Sequence, residues 1–405
     1  MGPLGPDKPG GGKLASETDT PADVPAGWDE FRRQMPVSER WAYFDHAAVC
    51  PLPRPTQVAV SRWAEEAATD GDTGYPRWSA KVEELRESAA AMLGADSEEI
   101  ALVRNTTEGI NLVAEGFPWQ PGDNVVTLAD EFPSNQYPWI NLADRGVETR
   151  RVPTEGGKVD LDSLVDACSH RTRIITVSWV SYSSGWRNDV DRLAAIAHRC
   201  GALLFLDAIQ ALGVFPLDVG RTPVDFLAAD GHKWLLGPEG AGIFFTRREH
   251  LDLLRPVGVG WNSVVHANDF SRIELTLKPT AARYEGGSQN TAGMIALGAS
   301  LRLLARFGPD ALGRRILDLT DLACQRLAEI GAVVLSDRRP QQKSGIVVFD
   351  LPGRDLPAVR LRCLEQGVVL SHRAGRLRIS PHAYNNPADV DRLIDALGRA
   401  SEAGR

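Results

Sequence analysis

Apolar and polar positions alternate in a pattern that predicts strands and helices in turn between residues 100 and 246. Short apolar runs of strand length occur at 100–104, 124–128, 148–152, 173–180, 202–207, 226–229 and 242–246. Amphipathic segments of helix length separate them near 106–116, 134–144, 161–168 and 190–200. Strands joined through helices form a mostly parallel sheet with both faces covered. We therefore predict an α/β fold built on a seven-stranded, mostly parallel sheet.

The flanking segments predict a second, smaller domain. Helical patterns near 55–69 and 76–94 precede the alternating region. A helical region after about 292 leads into weaker strands at 332–335, 345–350, 368–371 and 376–380 and helices near 356–366 and 387–399. We predict a disordered tail over 1–26, which is rich in Gly and Pro. The other predicted units are an arm and helix over 27–75 that contribute to the small domain, a large domain over 76–290 and a small α+β domain over 291–405.

Composition excludes several classes of partner. The net charge of −8 argues against a nucleic acid or an anionic membrane surface, and no apolar run reaches membrane-spanning length. The five cysteines are scattered, without a CxxC pair or the spacing of metal ligands. We therefore expect no disulfide framework, no metal and a reducing, cytoplasmic compartment.

The most informative stretch runs from 224 to 242 and has Lys233 at its centre. Here an apolar run ends in a polar corner, carries one lysine and continues into glycines. A lysine between small and aromatic residues, just after a buried strand, can lose its proton and act as an amine nucleophile. Asp207 ends the preceding strand. A Schiff-base lysine with an acidic partner for a pyridinium nitrogen is the arrangement that binds pyridoxal phosphate.

Further candidates follow other strands of the predicted sheet, at the edge where ligands bind in such folds. Thr106 and Thr107 open a helix and suit a phosphate, or else form an ordinary helix cap with Glu108. Phe132 could lie flat on a heteroaromatic ring, or pack in the core. Gln210 could donate to a ring hydroxyl, or remain a solvated glutamine.

The remaining candidates lie in less regular segments. Gly287 and Ser288 could bind a phosphate, or belong to a simple interdomain loop. Arg378 sits in an otherwise apolar strand and suits a bidentate grip on an α-carboxylate, although a structural salt bridge is the commoner role. Arg373 and Arg376 lie close to it in sequence. His232 could contact phosphate and His46 a substrate, although a lone histidine is more often a satisfied polar residue.

Taken together, five motifs resemble those of a known family. They are VRNTTEGIN, LDAIQALG, ADGHKWLLGPEG, YEGGSQNT and LRISPHAYN, and they occur in the order and spacing of that family. From about Tyr43 to Leu397 the chain resembles the class V aminotransferases, which are fold-type I pyridoxal-phosphate enzymes. The family includes cysteine desulfurases, selenocysteine lyases, cystine C–S lyases and isopenicillin N epimerases.

The resemblance implies a role for each candidate. Lys233 would hold pyridoxal phosphate as a Schiff base, and Arg378 would bind the substrate carboxylate. A homodimer with shared active sites is also implied. The residues that would contact the cofactor are Asp207 at the ring nitrogen, Gln210 at the ring hydroxyl, Phe132 on the ring face, Thr106, Thr107 and His232 at the phosphate, and Gly287 and Ser288 from the neighbouring subunit.

The chain also departs from the desulfurase pattern. Asp230 stands where desulfurases usually have serine, and Tyr182 lies where many members have asparagine. The segment that would carry the desulfurase cysteine reads VVLSHRAGRL, which is short and has no cysteine. Cys363 lies in the preceding helix pattern and is not a convincing replacement. Persulfide-forming desulfurase chemistry is therefore disfavoured.

We expect a pyridoxal-phosphate enzyme that removes the Cα proton of a small α-amino acid through Lys233. A lyase or an aminotransferase acting on a small, sulfur-containing amino acid is favoured. An epimerase like isopenicillin N epimerase is the next alternative, followed by a cysteine desulfurase. A scaffold that binds the cofactor without catalysis is disfavoured, because it would have no need to keep Lys233, Asp207 and Arg378 together.

Overall fold

The computed structural model describes residues 27–399, so the tail predicted over 1–26 lies outside the described residues. Its α-helices are α1 (Trp28–Arg33), α2 (Arg54–Thr69), α3 (Tyr75–Leu93), α4 (Thr106–Gly116), α5 (Tyr137–Ile140), α6 (Leu161–Asp166), α7 (Val190–Arg199), α8 (Thr291–Phe307), α9 (Pro309–Glu329), α10 (Leu356–Glu365) and α11 (Pro387–Arg399). Its strands are β1 (Ala42–Tyr43), β2 (Ile100–Val103), β3 (Asn124–Leu128), β4 (Glu148–Val152), β5 (Thr154–Glu155), β6 (Lys158–Val159), β7 (Thr172–Ser178), β8 (Leu203–Asp207), β9 (Phe226–Asp230), β10 (Gly242–Thr246), β11 (Val333–Val334), β12 (Val347–Asp350), β13 (Val368–Val369), β14 (Ser371–Arg373) and β15 (Arg376–Ile379).

The large sheet has seven strands in the order β2-β10-β9-β8-β7-β3-β4. All neighbouring strands are parallel except β10, which runs antiparallel to both β2 and β9. Strands β2, β3, β9 and β10 are buried along their whole length, because helices cover both faces of the sheet. The predicted α/β fold with a mostly parallel seven-stranded sheet is therefore confirmed.

A smaller antiparallel sheet, in the order β11-β12-β15-β14, packs with α9, α10 and α11 around a second core. The N-terminal arm joins this unit, since β1 pairs with β13 and Phe44 lies in the second core. Helix α8 packs against α2 and α3, and its buried side chains belong to the core of the large sheet. The boundaries proposed for the domains remain predictions.

Two segments differ from the sequence prediction. The helix expected over 134–144 is divided into short turns around α5, because Pro133 and Pro138 have no N–H to continue a helical hydrogen-bond ladder. The single strand expected over 368–371 is two strands, β13 and β14, which pair with different partners. No helix within residues 27–399 is long and apolar enough to cross a membrane.

Candidate active site

The carboxyl ends of β3, β7, β8 and β9 meet at one edge of the large sheet, where ligands bind in open α/β folds. A cavity of about 310 Å³ opens at this edge. The sequence candidates that line it are Thr106, Thr107, Phe132, Asp207, Gln210, His232, Lys233 and Arg378. The fold therefore brings most of the predicted site into one place.

Lys233 lies in the turn that follows β9 and is nearly buried, with 9% of its surface exposed. Burial lowers the pKa of Lys233 to about 8, although the negative charge of Asp207 opposes this shift. The turn is held by Leu236, which adopts the left-handed backbone conformation at φ 57° and is fully buried. An amine with this pKa is neutral in an appreciable fraction of molecules near neutral pH, as a nucleophile or base requires.

Asp207 ends β8 and is 3% exposed. Burial raises the pKa of Asp207 to about 6, while a hydrogen bond from the backbone N–H of Ile209 at 3.1 Å and the charge of Lys233 hold it lower. The carboxyl group therefore remains mostly ionised at neutral pH. It supplies a buried negative charge in the cavity that Lys233 also lines, which is what a protonated ring nitrogen needs.

The start of α4 forms one end of the cavity. Asn105, rather than a threonine, caps the helix, because its side chain accepts a hydrogen bond from the N–H of Glu108 at 2.9 Å. The Oγ1 of Thr106 is buried and has no hydrogen-bond partner among residues 27–399. Thr107 donates to the hydroxyl of Ser134 at 2.8 Å. A helix start with an unsatisfied hydroxyl provides the donors that a phosphate requires.

Helix α4 can approach the sheet closely because Gly109 has no side chain. A Cβ atom at Gly109 would lie 2.6 Å from the Cβ of Ala228 in β9. Since β9 leads directly to Asp230 and Lys233, this contact sets the distance between the helix start and the lysine turn. Gly109 therefore helps to position both the start of α4 and the turn that carries Lys233.

His232 and Asp230 form a pair beside this helix start. The Nδ1 of His232 lies 3.0 Å from the Oδ1 of Asp230, but the approach is not suited to a hydrogen bond, and Nδ1 has no hydrogen-bond partner within residues 27–399. Asp230 is 4% exposed and also lines the cavity. The pair leaves an imidazole that can turn toward an anion bound at α4.

Aromatic and amide side chains cover the middle of the cavity. Phe132 is 43% exposed, and its ring centroid lies 5.8 Å from the Nζ of Lys233. Tyr182 meets Phe132 edge to face at 5.1 Å. The amide of Gln210 donates to the carbonyl of Ala47 at 3.0 Å and accepts from the indole N–H of Trp234 at 2.9 Å. Phe132 therefore lies as an exposed flat surface above the amine instead of packing in the core.

Arg378 also lines the cavity and is 2% exposed. It donates to the carbonyl of Tyr182 at 2.8 Å and approaches Asp45 at 3.4 Å. Its Nε is buried without a hydrogen-bond partner in the described part of the chain. Burial lowers the pKa of Arg378, and burial raises the pKa of Asp45. The guanidinium is thus held in place and retains donor capacity for a carboxylate.

The structure also separates the three neighbouring arginines. Arg373 lines the same cavity as Arg378, whereas Arg376 lies outside its lining and pairs with Asp350 at 3.3 Å. Arg373 and Arg376 are directly opposite each other across the β14–β15 hairpin and share a face, so the ion pair with Asp350 is what distinguishes Arg376. The spacing in the sequence alone left all three open.

The prediction that His46 reaches a substrate is not supported by its position. His46 is fully buried and lies outside the cavity lining. Its Nδ1 contacts the carbonyl of Ser380 at 2.9 Å, and its Nε2 contacts the hydroxyl of Tyr384 at 3.1 Å. Burial lowers the pKa of His46 well below its usual value, so the ring is neutral. It is a satisfied core histidine that joins the arm to the strand end at Ser380.

Gly287 and Ser288 line a separate, neighbouring cavity of about 800 Å³. Asn105 and Thr107 line both cavities, so the two are adjacent. Within one chain these two residues do not line the Lys233 cavity. Their predicted contribution from a second subunit therefore stays a prediction.

Glu131 is a buried acid outside the cavity lining whose charge interacts with that of Asp207, and the sequence did not mark it as a candidate. It follows β3, is 8% exposed, accepts a hydrogen bond from the N–H of Ser178 at 2.6 Å and contacts the hydroxyl of the same serine. Burial raises the pKa of Glu131 to about 7, and the charge of Asp207 adds to the shift. In the sequence it resembles an ordinary turn acid between a strand and a Phe-Pro pair, so no local signal marks it.

The geometry defines a class of enzyme. A lysine with a lowered pKa, a buried carboxylate beside it and an anion site at a helix start suit a cofactor with a carbonyl group, a ring nitrogen and a phosphate. No group of His, Cys, Asp and Glu within residues 27–399 is arranged to hold a metal ion. The chain belongs to the class V aminotransferase family, whose model, described as aminotransferase class-V, matches residues 42–393.

Individual relatives agree with this assignment. The chain is 32% identical over 398 residues to a probable cysteine desulfurase of Methanothermobacter thermautotrophicus, covering 93% of this chain and 98% of the relative. It is 30% identical over 403 residues to the cysteine desulfurase CsdA of Escherichia coli, covering 92% and 97% of the two chains. The predicted family is therefore confirmed, and with it the prediction of a pyridoxal-phosphate enzyme.

Solved structures show the same fold. The S-sulfonic acid form of CsdA from Escherichia coli superposes with a TM-score of 0.84 at 27% identity, covering 93% of this chain and 99% of that chain. A complex of the cystine C–S lyase C-DES with cysteine persulfide superposes with a TM-score of 0.84 at 23% identity, covering 91% and 99%. The second likeness concerns the fold alone. Both comparisons confirm the predicted fold-type I architecture.

Proposed function

We propose that this protein is a pyridoxal-phosphate-dependent lyase that acts on a small, sulfur-containing α-amino acid. The observation that carries the proposal is the presence of Lys233, Asp207 and Arg378 in the lining of one cavity. The names of the relatives at 30% identity or more support a sulfur-containing substrate. Lyase chemistry is favoured by the environment of the cysteines, described below.

The residues present fit the cofactor. The phosphate would be held at the start of α4, where the hydroxyl of Thr106 has no other partner, together with Thr107 and His232. Asp207 would keep the ring nitrogen protonated, and Phe132 would cover the ring. Gln210 has a second amide N–H to give to the ring hydroxyl. When bound, pyridoxal phosphate withdraws electrons from the substrate Cα and makes its proton acidic.

The chain's own residues then orient the substrate and move the proton. Arg378 binds the α-carboxylate through the donors that its contacts with Tyr182 and Asp45 leave free. Lys233, with its lowered pKa, takes the Cα proton as a general base. Because both residues are nearly buried, the proton is exchanged with few waters present.

The surroundings favour a lyase over a desulfurase that stores sulfur on the enzyme. None of the five cysteines lines the Lys233 cavity: Cys50 is buried against the carbonyl of Gly237, and Cys363 is fully buried on α10. The segment that carries the nucleophile in desulfurases is a hairpin turned by Ala374 and Gly375, both with positive φ. Without a thiol at the substrate, the sulfur departs on a small molecule.

We further propose a homodimer with shared sites in the cytoplasm. The segment 257–275 exposes an unusual amount of apolar surface for a monomer, including Phe270 at 74%, Ile273 at 94% and Leu275 at 72%. Val257 of this segment borders the cavity lined by Gly287 and Ser288, next to the helix start at Thr107. A second copy that covers this surface would bring its own Gly287 and Ser288 toward the phosphate. The five free cysteines support a reducing compartment.

Absorption spectroscopy with substrate screening tests the proposed reaction. Protein incubated with pyridoxal phosphate should absorb in the visible, and Lys233→Ala should abolish that band. Lys158→Ala, on the exposed hairpin of β5 and β6, is the matched control and should leave it unchanged. Cysteine or cystine should then yield pyruvate, with sulfide or a persulfide. A band that no amino acid alters would overturn the assignment as an enzyme.

A further inference from the structure

Arg373 is an exposed cation of the cavity lining that no hydrogen bond or ion pair holds within residues 27–399. Its charge helps to lower the pKa of Asp45, but Asp45 is already in contact with Arg378 and Ser371. Of the other charged groups there, Arg378 approaches Asp45 at 3.4 Å, and Lys233 interacts with the charge of Asp207. A guanidinium that lines the cavity and is held by no ion pair is available to a ligand.

The hairpin fixes where this charge sits. Ser371 and Arg373 are two residues apart on β14, so their side chains point to the same face, and Ser371 is directly opposite Arg378. The hydroxyl of Ser371 contacts Asp45, which ties this face to the Arg378 group. Ala374 closes the hairpin with φ 48°, a conformation that costs an alanine about 1 kcal/mol or more. The strand end that carries Arg373 is therefore short and well defined.

The position of Arg373 argues against a role at the phosphate. The phosphate donors lie on α4 and the lysine turn of the large sheet, whereas Arg373 and Arg378 belong to the hairpin of the small sheet. Substrate bound between Lys233 and Arg378 would place its α-carboxylate on Arg378. Its side chain then lies in the cavity that Arg373 also lines.

We infer that Arg373 is a specificity residue that binds a second anionic group, carried on the side chain of the substrate amino acid. This inference rests on the proposed function, since it takes Arg378 as the α-carboxylate site. It narrows the substrate class from small amino acids in general to those whose side chain ends in an acid. Arg378 binds the α-carboxylate that every α-amino acid carries, and Arg373 selects substrates by the acidic group on the side chain.

The test compares matched acidic and neutral ligands on the enzyme loaded with cofactor. One pair is L-aspartate and L-asparagine. The other pair is S-carboxymethyl-L-cysteine and its side-chain amide, S-carbamidomethyl-L-cysteine. Dissociation constants are read from the change in the visible band. We expect the acid of at least one pair to bind about tenfold tighter than its amide, as one charge-assisted hydrogen bond would give. Arg373→Gln should remove this preference and leave amide binding unchanged.

The hairpin supplies its own control. Arg376 is directly opposite Arg373 but pairs with Asp350 outside the cavity, so Arg376→Gln should keep the preference for the acid. Arg373→Lys should retain part of it. The inference is overturned if wild-type protein binds acid and amide equally in both pairs, or if Arg373→Gln leaves the preference intact. If no amino acid of any kind changes the band, the proposed function itself has failed.

Discussion

Replacing Glu131 by glutamine tests whether a buried acid beside Asp207 titrates near neutral pH. The pKa of Glu131 rises from 4.5 to about 7 in the folded protein because the side chain is buried. Its stabilising contribution is complete below pH 4.5, where both states hold the proton, and is lost as the pH rises through 7. A shift of this size corresponds to about 3 kcal/mol at full titration.

Glutamine preserves the contacts while removing the titration. Its amide oxygen can still accept from the N–H of Ser178, and its amide nitrogen can donate to the hydroxyl of that serine. Urea unfolding from pH 5 to pH 8 should show wild-type stability falling by about 2 to 3 kcal/mol more than that of Glu131→Gln. Glu155→Gln, an exposed acid on β5, should follow the wild type. Parallel curves for wild type and Glu131→Gln would refute the reasoning.

Two other substitutions test the packing of α4 on the sheet and the hydrogen bonds of Asp225. Gly109→Ala places a Cβ 2.6 Å from that of Ala228, so it should destabilise the protein by about 1 to 3 kcal/mol and weaken cofactor binding. Urea unfolding and cofactor titration measure the two effects, and unchanged values would contradict the close packing. Asp225 accepts hydrogen bonds from His198 and His250, both at 2.8 Å, and these bonds outweigh burial and hold its pKa below 3.8. Asp225→Asn should therefore cost about 2 kcal/mol at pH 7, and its deficit should shrink as the pH falls below 3.8, where the wild-type carboxylate becomes protonated. A deficit that is constant with pH would argue against an ionised Asp225.

The sheet and its main chemical groups were predictable because they depend on local patterns. Strands 124–128 and 242–246 have the predicted bounds, since each is a short, mostly apolar run between turn residues. Lys233 and Asp207 were named as candidates for a similar reason, because one follows and the other ends such a run, and their roles stay predictions. The carboxyl ends of parallel strands share one edge, so order along the chain becomes nearness in space.

The features that the sequence did not predict depend on contacts between segments that are distant in sequence. The sequence suggested that His46 could reach a substrate, but its two ring nitrogens contact Ser380 and Tyr384. The difference between Arg373 and Arg376 depends on the cavity lining and on the ion pair of Arg376 with Asp350. The raised pKa of Glu131 results from its burial, which the sequence does not show. Charge, periodicity and spacing carry no information on these pairings.

The β14–β15 hairpin has a consequence for what happens after bond cleavage. A long flexible segment could collect the product and carry it to an acceptor, as a tethered arm does. This hairpin turns through Ala374 and Gly375 alone and bears no thiol, so it has neither the reach nor the chemistry for delivery. Under the proposed lyase activity, the leaving group would therefore enter bulk solvent directly. Any acceptor would then meet a released molecule instead of docking onto a loaded enzyme.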